Sequence, residues 1–180
     1  LMCVNFEGDG RDQYKYANGS LRWGNAQEAA AWVAYCNDPD NQERRGHGIA
    51  DPLKIPFWQL GNETSYDDRG FSQSNAIDKT IEFAKAMRAV DPSIKIIGWG
   101  DSGWAANMAD RAGDNLDMLA FHHMFDPDDR GKPVLRGELY RRDPDATWHQ
   151  LMEAWKHNDA KIRDARDSLD GRKMPLAMTE

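Results

Sequence analysis

Short apolar runs alternate with amphipathic helical segments from one end of the chain to the other, and this alternation limits the fold more than any other feature. Leu1 to Phe6, Ile55 to Leu60, Ile94 to Ile97, Leu116 to His122 and Leu176 to Met178 read as strands, with Pro56 suited only to the beginning of its strand. A helix is predicted after Asn25, a good N-cap with Glu28 three residues on, continued by Ala29, Ala30, Trp32, Val33 and Cys36 and stopped at Asn37-Asp38-Pro39. A charged loop follows. A second helix runs from about Ser74 to Val90, with Ile77, Ile81, Ala84 and Met87 or Arg88 as its buried stripe and Asp91-Pro92 as its break. A short helix is expected over Trp104 to Ala112, and a long one from Thr147 to about Leu169 carrying Leu151, Trp155, Ile162 and Leu169. The order is βαβαβαβαβ, α/β with parallel strands covered by helices, and 180 residues suffice for a single domain with a core. An open doubly wound sheet and an eight-stranded barrel share this signature, and both place their sites at the carboxyl ends of the strands.

The residues just past the strands are Asn5 and Glu7, Asn62 and Glu63, Trp99 and Asp101, His122 and His123, and Glu180. Polar residues also occur at strand ends simply because the chain meets water there. Gly61-Asn62-Glu63 is more pointed, since a glycine permits a sharp turn that places an acid directly after an apolar run. Glu63 and Glu180 each close a strand-like stretch, and a pair of carboxyl groups so placed is what a retaining glycoside hydrolase uses. A net charge of -7 with no Lys/Arg block argues against nucleic acid or an anionic membrane as partner. Seven Trp and five Tyr offer flat faces on which sugar rings stack, although most such rings serve as core.

A rival pattern is Gly98-Trp99-Gly100-Asp101-Ser102-Gly103, which fits the G-x-G-x-x-G dinucleotide fingerprint, with Asp126 roughly 20 residues beyond it. Bulky Trp99 stands where the backbone should close on a pyrophosphate, and the unit is not the first βα unit of the chain. Asp126-Pro127-Asp128-Asp129 resembles a calcium loop in charge alone. The sequons at Asn18 and Asn62 read as chance matches, since a glycan on Asn62 would block the proposed site. No metal site is expected, because adjacent histidines in a strand point to opposite faces. Cys3 and Cys36 read as buried free thiols.

Val4-Asn5, the segment Ala29-Ala30-Ala31-Trp32-Val33-Ala34-Tyr35-Cys36-Asn37, Trp58-Gln59-Leu60-Gly61-Asn62-Glu63 and Asp91-Pro92-Ser93-Ile94 together resemble the family 51 α-L-arabinofuranosidases, over nearly the whole chain. That family belongs to the clan of retaining glycosidases built on (β/α)8 barrels. The resemblance implies a partial TIM barrel covering strands three to seven, with residues 1–180 an incomplete catalytic barrel. It implies Glu63 as general acid/base, Glu180 as nucleophile and Asn62 as a contact to the sugar 2-hydroxyl; Asn5, Trp99, Asp101, His122 and His123 are further candidate substrate contacts from their places at the strand ends. Two departures stand out: His122 is followed by His123 and Met124 where the family has a Tyr two residues after its His, and Thr64-Ser65-Tyr66 replaces the usual Met-Asp-Gly. No cofactor is expected, and the partner is a carbohydrate. A barrel lacking three strands would have open edges and is expected to be poorly stable alone. The chain begins inside an apolar segment, so an incomplete N-terminus is expected and both cytoplasmic and secreted locations stay open. The non-catalytic alternative is a carbohydrate-binding barrel, favoured if Glu63 and Glu180 lie apart.

Overall fold

A computed structural model of the chain describes residues 1–8, 19, 23–66, 72–123, 139–153 and 155–180. Five strands form one sheet: β1 Met2–Val4, β2 Phe57–Leu60, β3 Lys95–Trp99, β4 Met118–Phe121 and β5 Leu176–Met178. All neighbouring pairs are parallel, and spatial order equals chain order from β1 to β5. That order decides between the two candidate architectures. A doubly wound sheet reverses direction at a switch point and carries helices on both faces, whereas a barrel adds each strand beside the last and keeps its helices outside.

The helices are α1 Ala26–Asn37, α2 Gln42–Gly46, α3 Gln73–Val90, α4 Ala105–Ala112, α5 Pro144–Glu153 and α6 Trp155–Asp167. Local chemistry sets their starts. Asn25, in extended backbone, accepts from the N–H groups of Gln27 and Glu28, and Ser72 accepts from that of Asn75. Trp58, Leu60, Ile96 and Leu119 from the sheet interlock with Val33 of α1, Ile77, Phe83, Ala84 and Met87 of α3, and Met108 and Ala112 of α4 to make the main core. Strand register places alternate residues on the opposite, concave face, where Ile97, Trp99 and Ala120 form a second, smaller cluster with Trp104, Met118 and Ala177 against it. No helix among the described residues is long and apolar enough to cross a membrane.

Several expectations need correcting. The stretch read as a charged loop contains α2, whose Arg44 is fully buried and donates to the carbonyls of Tyr35, Asp38, Pro39 and Ala50. A guanidinium surrounded by carbonyls can be buried where a less well paired charge could not. The helix expected from Thr147 to about Leu169 is described on either side of residue 154, as α5 and α6; Leu151 and Trp155, expected on its buried stripe, are exposed, and among the described residues of this stretch Ala165 and Leu169 are buried, Leu169 within the main core. Cys36 is buried as expected, but Cys3 is exposed, in β1 at the end of the described sheet. The Asp126-Asp129 run and the Asn18 sequon lie outside the described residues.

Candidate active site

The chain leaves β2 through Gly61, at φ 77°, where an added Cβ would meet Thr64 Oγ1 at 2.6 Å and the Phe6 ring at 3.0 Å. Glu63 itself adopts φ 52°, a left-handed conformation that costs a residue with a side chain about 1 kcal/mol or more. The surroundings hold that turn at several points. The Tyr66 N–H closes it onto the Glu63 carbonyl at 2.8 Å, Ser65 Oγ accepts from the Trp99 indole at 2.7 Å, and the Tyr66 hydroxyl donates to Asp101 Oδ2 at 2.5 Å. Beneath it, buried Gln59 donates to the Gly61 carbonyl at 2.9 Å.

His122, just past β4 and only 4% exposed, meets this turn from the other side. Its Nδ1 is 3.1 Å from Glu63 Oε1 and 3.7 Å from Glu180 Oε2, and its Nε2 is 3.1 Å from Thr179 Oγ1. Glu180 is fixed from its backbone, where the His123 N–H donates to its carbonyl at 3.0 Å and the Thr179 N–H to that of Phe121 at 3.3 Å. One carboxylate oxygen from each glutamate and a ring nitrogen of His122 therefore lie within 4.8 Å of one another, the glutamates partly exposed and the histidine buried. Three such atoms could also surround a cation, but both nitrogens of His122 already have protein partners, so ligation would displace Glu63 or Thr179.

Asn62 is exposed, and with Asn5, Cys3, Glu7 and Gly61 it lines a shallow depression over the ends of β1 and β2. Trp99 and Asp101, expected as sugar contacts, lie one layer below the surface. Trp99 is 1% exposed, its ring edge-on to His122 and Tyr66. Asp101 accepts from the Tyr66 hydroxyl, Lys161 Nζ, the Ser102 N–H and the His122 N–H. Burial opposes its charge, yet those four donors together hold its carboxyl below the usual carboxylate range. The Tyr66 hydroxyl is pushed up by burial, by its bond to Asp101 and by the charges of Asp101 and Glu63. The sulfur of Cys3 sits 3.5 Å from the Gly61 carbonyl; lost hydration, then the charges of Glu7 and Glu180, push its thiol up to about 11.

Sequence reasoning missed Ser65, Tyr66, Lys161 and Thr179. Ser65 and Tyr66 follow Glu63 directly and had a local signal, whereas Lys161 lies 60 positions from Asp101 and had none. Two glycines of the dinucleotide-like run are explained by packing, since a Cβ on Gly98 would strike Leu116 at 2.8 Å and one on Gly100 would strike Leu119 at 2.9 Å; Gly103 has open space around it and instead takes a left-handed φ of 78°. The room beside Gly98 and Gly100 is filled by Leu116 and Leu119, so neither glycine opens its backbone to a pyrophosphate.

Comparison with known proteins bears on the family and the fold. The model of the alpha-L-arabinofuranosidase 1 domain matches residues 8–143. A probable alpha-L-arabinofuranosidase C of Aspergillus flavus is 35% identical over 89 residues, 46% of this chain and 18% of that protein. An intracellular exo-alpha-(1->5)-L-arabinofuranosidase of Acetivibrio thermocellus is 30% identical over 112 residues, 54% of this chain and 22% of that one. Among solved structures, the GH51 alpha-L-arabinofuranosidase of Thermotoga petrophila matches with a TM-score of 0.51 and 32% identity over 55% of this chain and 22% of that chain. The GH51 arabinofuranosidase of Xanthomonas axonopodis pv. citri gives a TM-score of 0.65 over 86% of this chain and 33% of that one, at 21% identity, a likeness of fold. The chain thus spans only 18% to 22% of the length of these curated relatives, and its five parallel strands are a segment of a (β/α)8 barrel. With the family model matched from residue 8 to residue 143, the chain belongs to the alpha-L-arabinofuranosidase 1 domain family.

Proposed function

We propose that this chain is the central part of a retaining α-L-arabinofuranosidase, its five strands corresponding to barrel strands three to seven. The observation that carries the reading is the pair Glu63 and Glu180, whose nearest oxygens approach within 4.8 Å beside His122. Carboxyl groups about 5 to 5.5 Å apart suit a double displacement, while an inverting pair stands about 6.5 to 9.5 Å apart to leave room for a water. The same closeness disfavours a non-catalytic barrel, for which the two acids need not share a cleft.

In the first step Glu180 attacks the anomeric carbon, and the bond from that carbon to the leaving oxygen breaks. The leaving oxygen keeps the bonding pair and takes the proton of Glu63, so a glycosyl ester forms on Glu180. In the second step the Glu63 carboxylate removes a proton from a water whose oxygen bonds the same carbon, and Glu180 departs as a carboxylate. His122 spans both acids and holds them in register through both steps. In this reading Asn62 and Asn5, which line the open depression over the ends of β1 and β2, hydrogen-bond sugar hydroxyls. His123 contributes through the backbone, holding the end of β5.

The test is turnover of aryl α-L-arabinofuranoside, β-xyloside and β-glucoside by the full-length gene product, with Glu63→Ala and Glu180→Ala alongside. Preference for the arabinofuranoside, abolished or severely reduced in both variants, supports the reading. Undiminished turnover in either variant refutes it.

A further inference from the structure

Asp101 touches two parts of the site that are remote in sequence. Its Oδ2 accepts from the Tyr66 hydroxyl at 2.5 Å and from the His122 backbone N–H at 3.2 Å. Tyr66 ends the turn that begins at Glu63, and its N–H is bonded to the Glu63 carbonyl. One carboxylate therefore ties the turn carrying the proposed acid to the strand end carrying His122. Lys161 of α6 reaches both Asp101 oxygens, at 3.0 and 3.1 Å, and the Asp101 side chain is 11% exposed. A nearly buried carboxylate with an ammonium partner and three further donors is fixed in place, and so is what it holds.

That fixing is needed because Glu63 sits in left-handed backbone at φ 52° without being glycine. Such a conformation persists only where its surroundings over-determine it. The Trp99–Ser65 bond and the Asp101–Tyr66 bond are side-chain clamps on the part of the turn that follows Glu63, while Gln59 holds the part before it. Without the Asp101–Tyr66 bond, the turn can relax and the 3.1 Å approach of Glu63 to His122 is lost.

We propose that Asp101, acting through Tyr66 and the His122 backbone and held by Lys161, is a positioning residue for the general acid Glu63. This rests on the retaining reading above, with Glu63 as the proton donor. Asp101 makes no contact with the sugar; its part is to keep the Glu63 carboxyl where the leaving oxygen will be.

The test compares substrates that differ only in their need for a proton. Dinitrophenyl arabinofuranoside leaves readily without acid assistance, whereas methyl arabinofuranoside or an arabinan oligosaccharide does not. In the full-length protein, Asp101→Asn and Tyr66→Phe should lower kcat/KM on the poor leaving group about tenfold or more, since acid catalysis is worth about 10² to 10⁴. Cleavage of the dinitrophenyl substrate should change less than about threefold, a residual allowance for small shifts in geometry. Lys161→Met, which keeps the stem without the charge, should follow in the same direction. If the variants lose both substrates equally while far-UV and near-UV circular dichroism stay native, the role is general packing and the proposal fails. If they lose neither, it also fails. The outcomes separate from those of the retaining reading: wild-type protein that ignores arabinofuranosides, or that does not need Glu63, refutes that reading whatever Asp101 does.

Discussion

His122 Nδ1 lies 3.1 Å from Glu63 Oε1, although 59 positions separate the two residues in the chain. The contact joins the ends of β2 and β4 across β3, beneath which Trp99 packs edge-on to the imidazole. A buried histidine that meets one glutamate and stands 3.7 Å from the other sets the spacing of the pair.

Replacing His122 should therefore disturb catalysis more than binding. His122→Ala is expected to lower kcat about 10- to 100-fold with KM changed little, because misplacement of a reacting group by about 1 Å costs on that order. Steady-state kinetics with aryl arabinofuranoside checks this. An equal loss through KM alone would place His122 in uniform substrate binding.

Arg44 should be a stability residue with no part in the reaction. Its guanidinium serves the carbonyls of Tyr35, Asp38, Pro39 and Ala50, which join the end of α1 to the segment after α2. Arg44→Met leaves those acceptors without their donor and should cost about 2 to 4 kcal/mol, read from the urea midpoint. Arg44→Lys should recover only part of the loss, since one ammonium cannot reach the same fork of acceptors.

Asp117 links β3 to β4 by accepting from the Ile96 N–H at 2.8 Å, Lys95 Nζ at 3.0 Å and Arg88 Nη2 at 2.5 Å. Burial opposes its ionisation, but those donors prevail and hold its carboxyl below the usual range. Its folded value being depressed, its contribution is fully present above the ordinary aspartate value of about 3.9 and is lost as pH falls through the folded one. Asp117→Asn should thus destabilise by about 1.5 to 3 kcal/mol at neutral pH, and by less as the pH approaches 3. Urea titrations at several pH values read both.

Much of this was legible in the chain because the signals are local. Gly61-Asn62-Glu63 announces a turn and an acid after a strand, and Asn25 announces a helix start, both from neighbouring residues alone. The barrel order followed from parallel β-α alternation once the strands proved to lie in chain order. What stayed hidden depends on distant partners. Asp101 was singled out only by its place at a strand end, and its partners Tyr66, Lys161 and His122 come to it only in the folded chain. Arg44 looked like a loop charge because a buried guanidinium is recognisable only by the carbonyls around it. Cys3 looked like core because an apolar run carries no mark of which face the helices cover.

Trapping the covalent intermediate tests the central claim most directly. With Glu63→Ala and dinitrophenyl α-L-arabinofuranoside, the first step needs no acid but the second lacks its base, so the glycosyl-enzyme should accumulate. Rapid acid quench, proteolysis and mass spectrometry should then find one pentosyl unit on the peptide containing Glu180. Turnover by this variant with that peptide unmodified, or a first-formed sugar of inverted anomeric configuration, would contradict the assignment of Glu63 and Glu180 as a double-displacement pair.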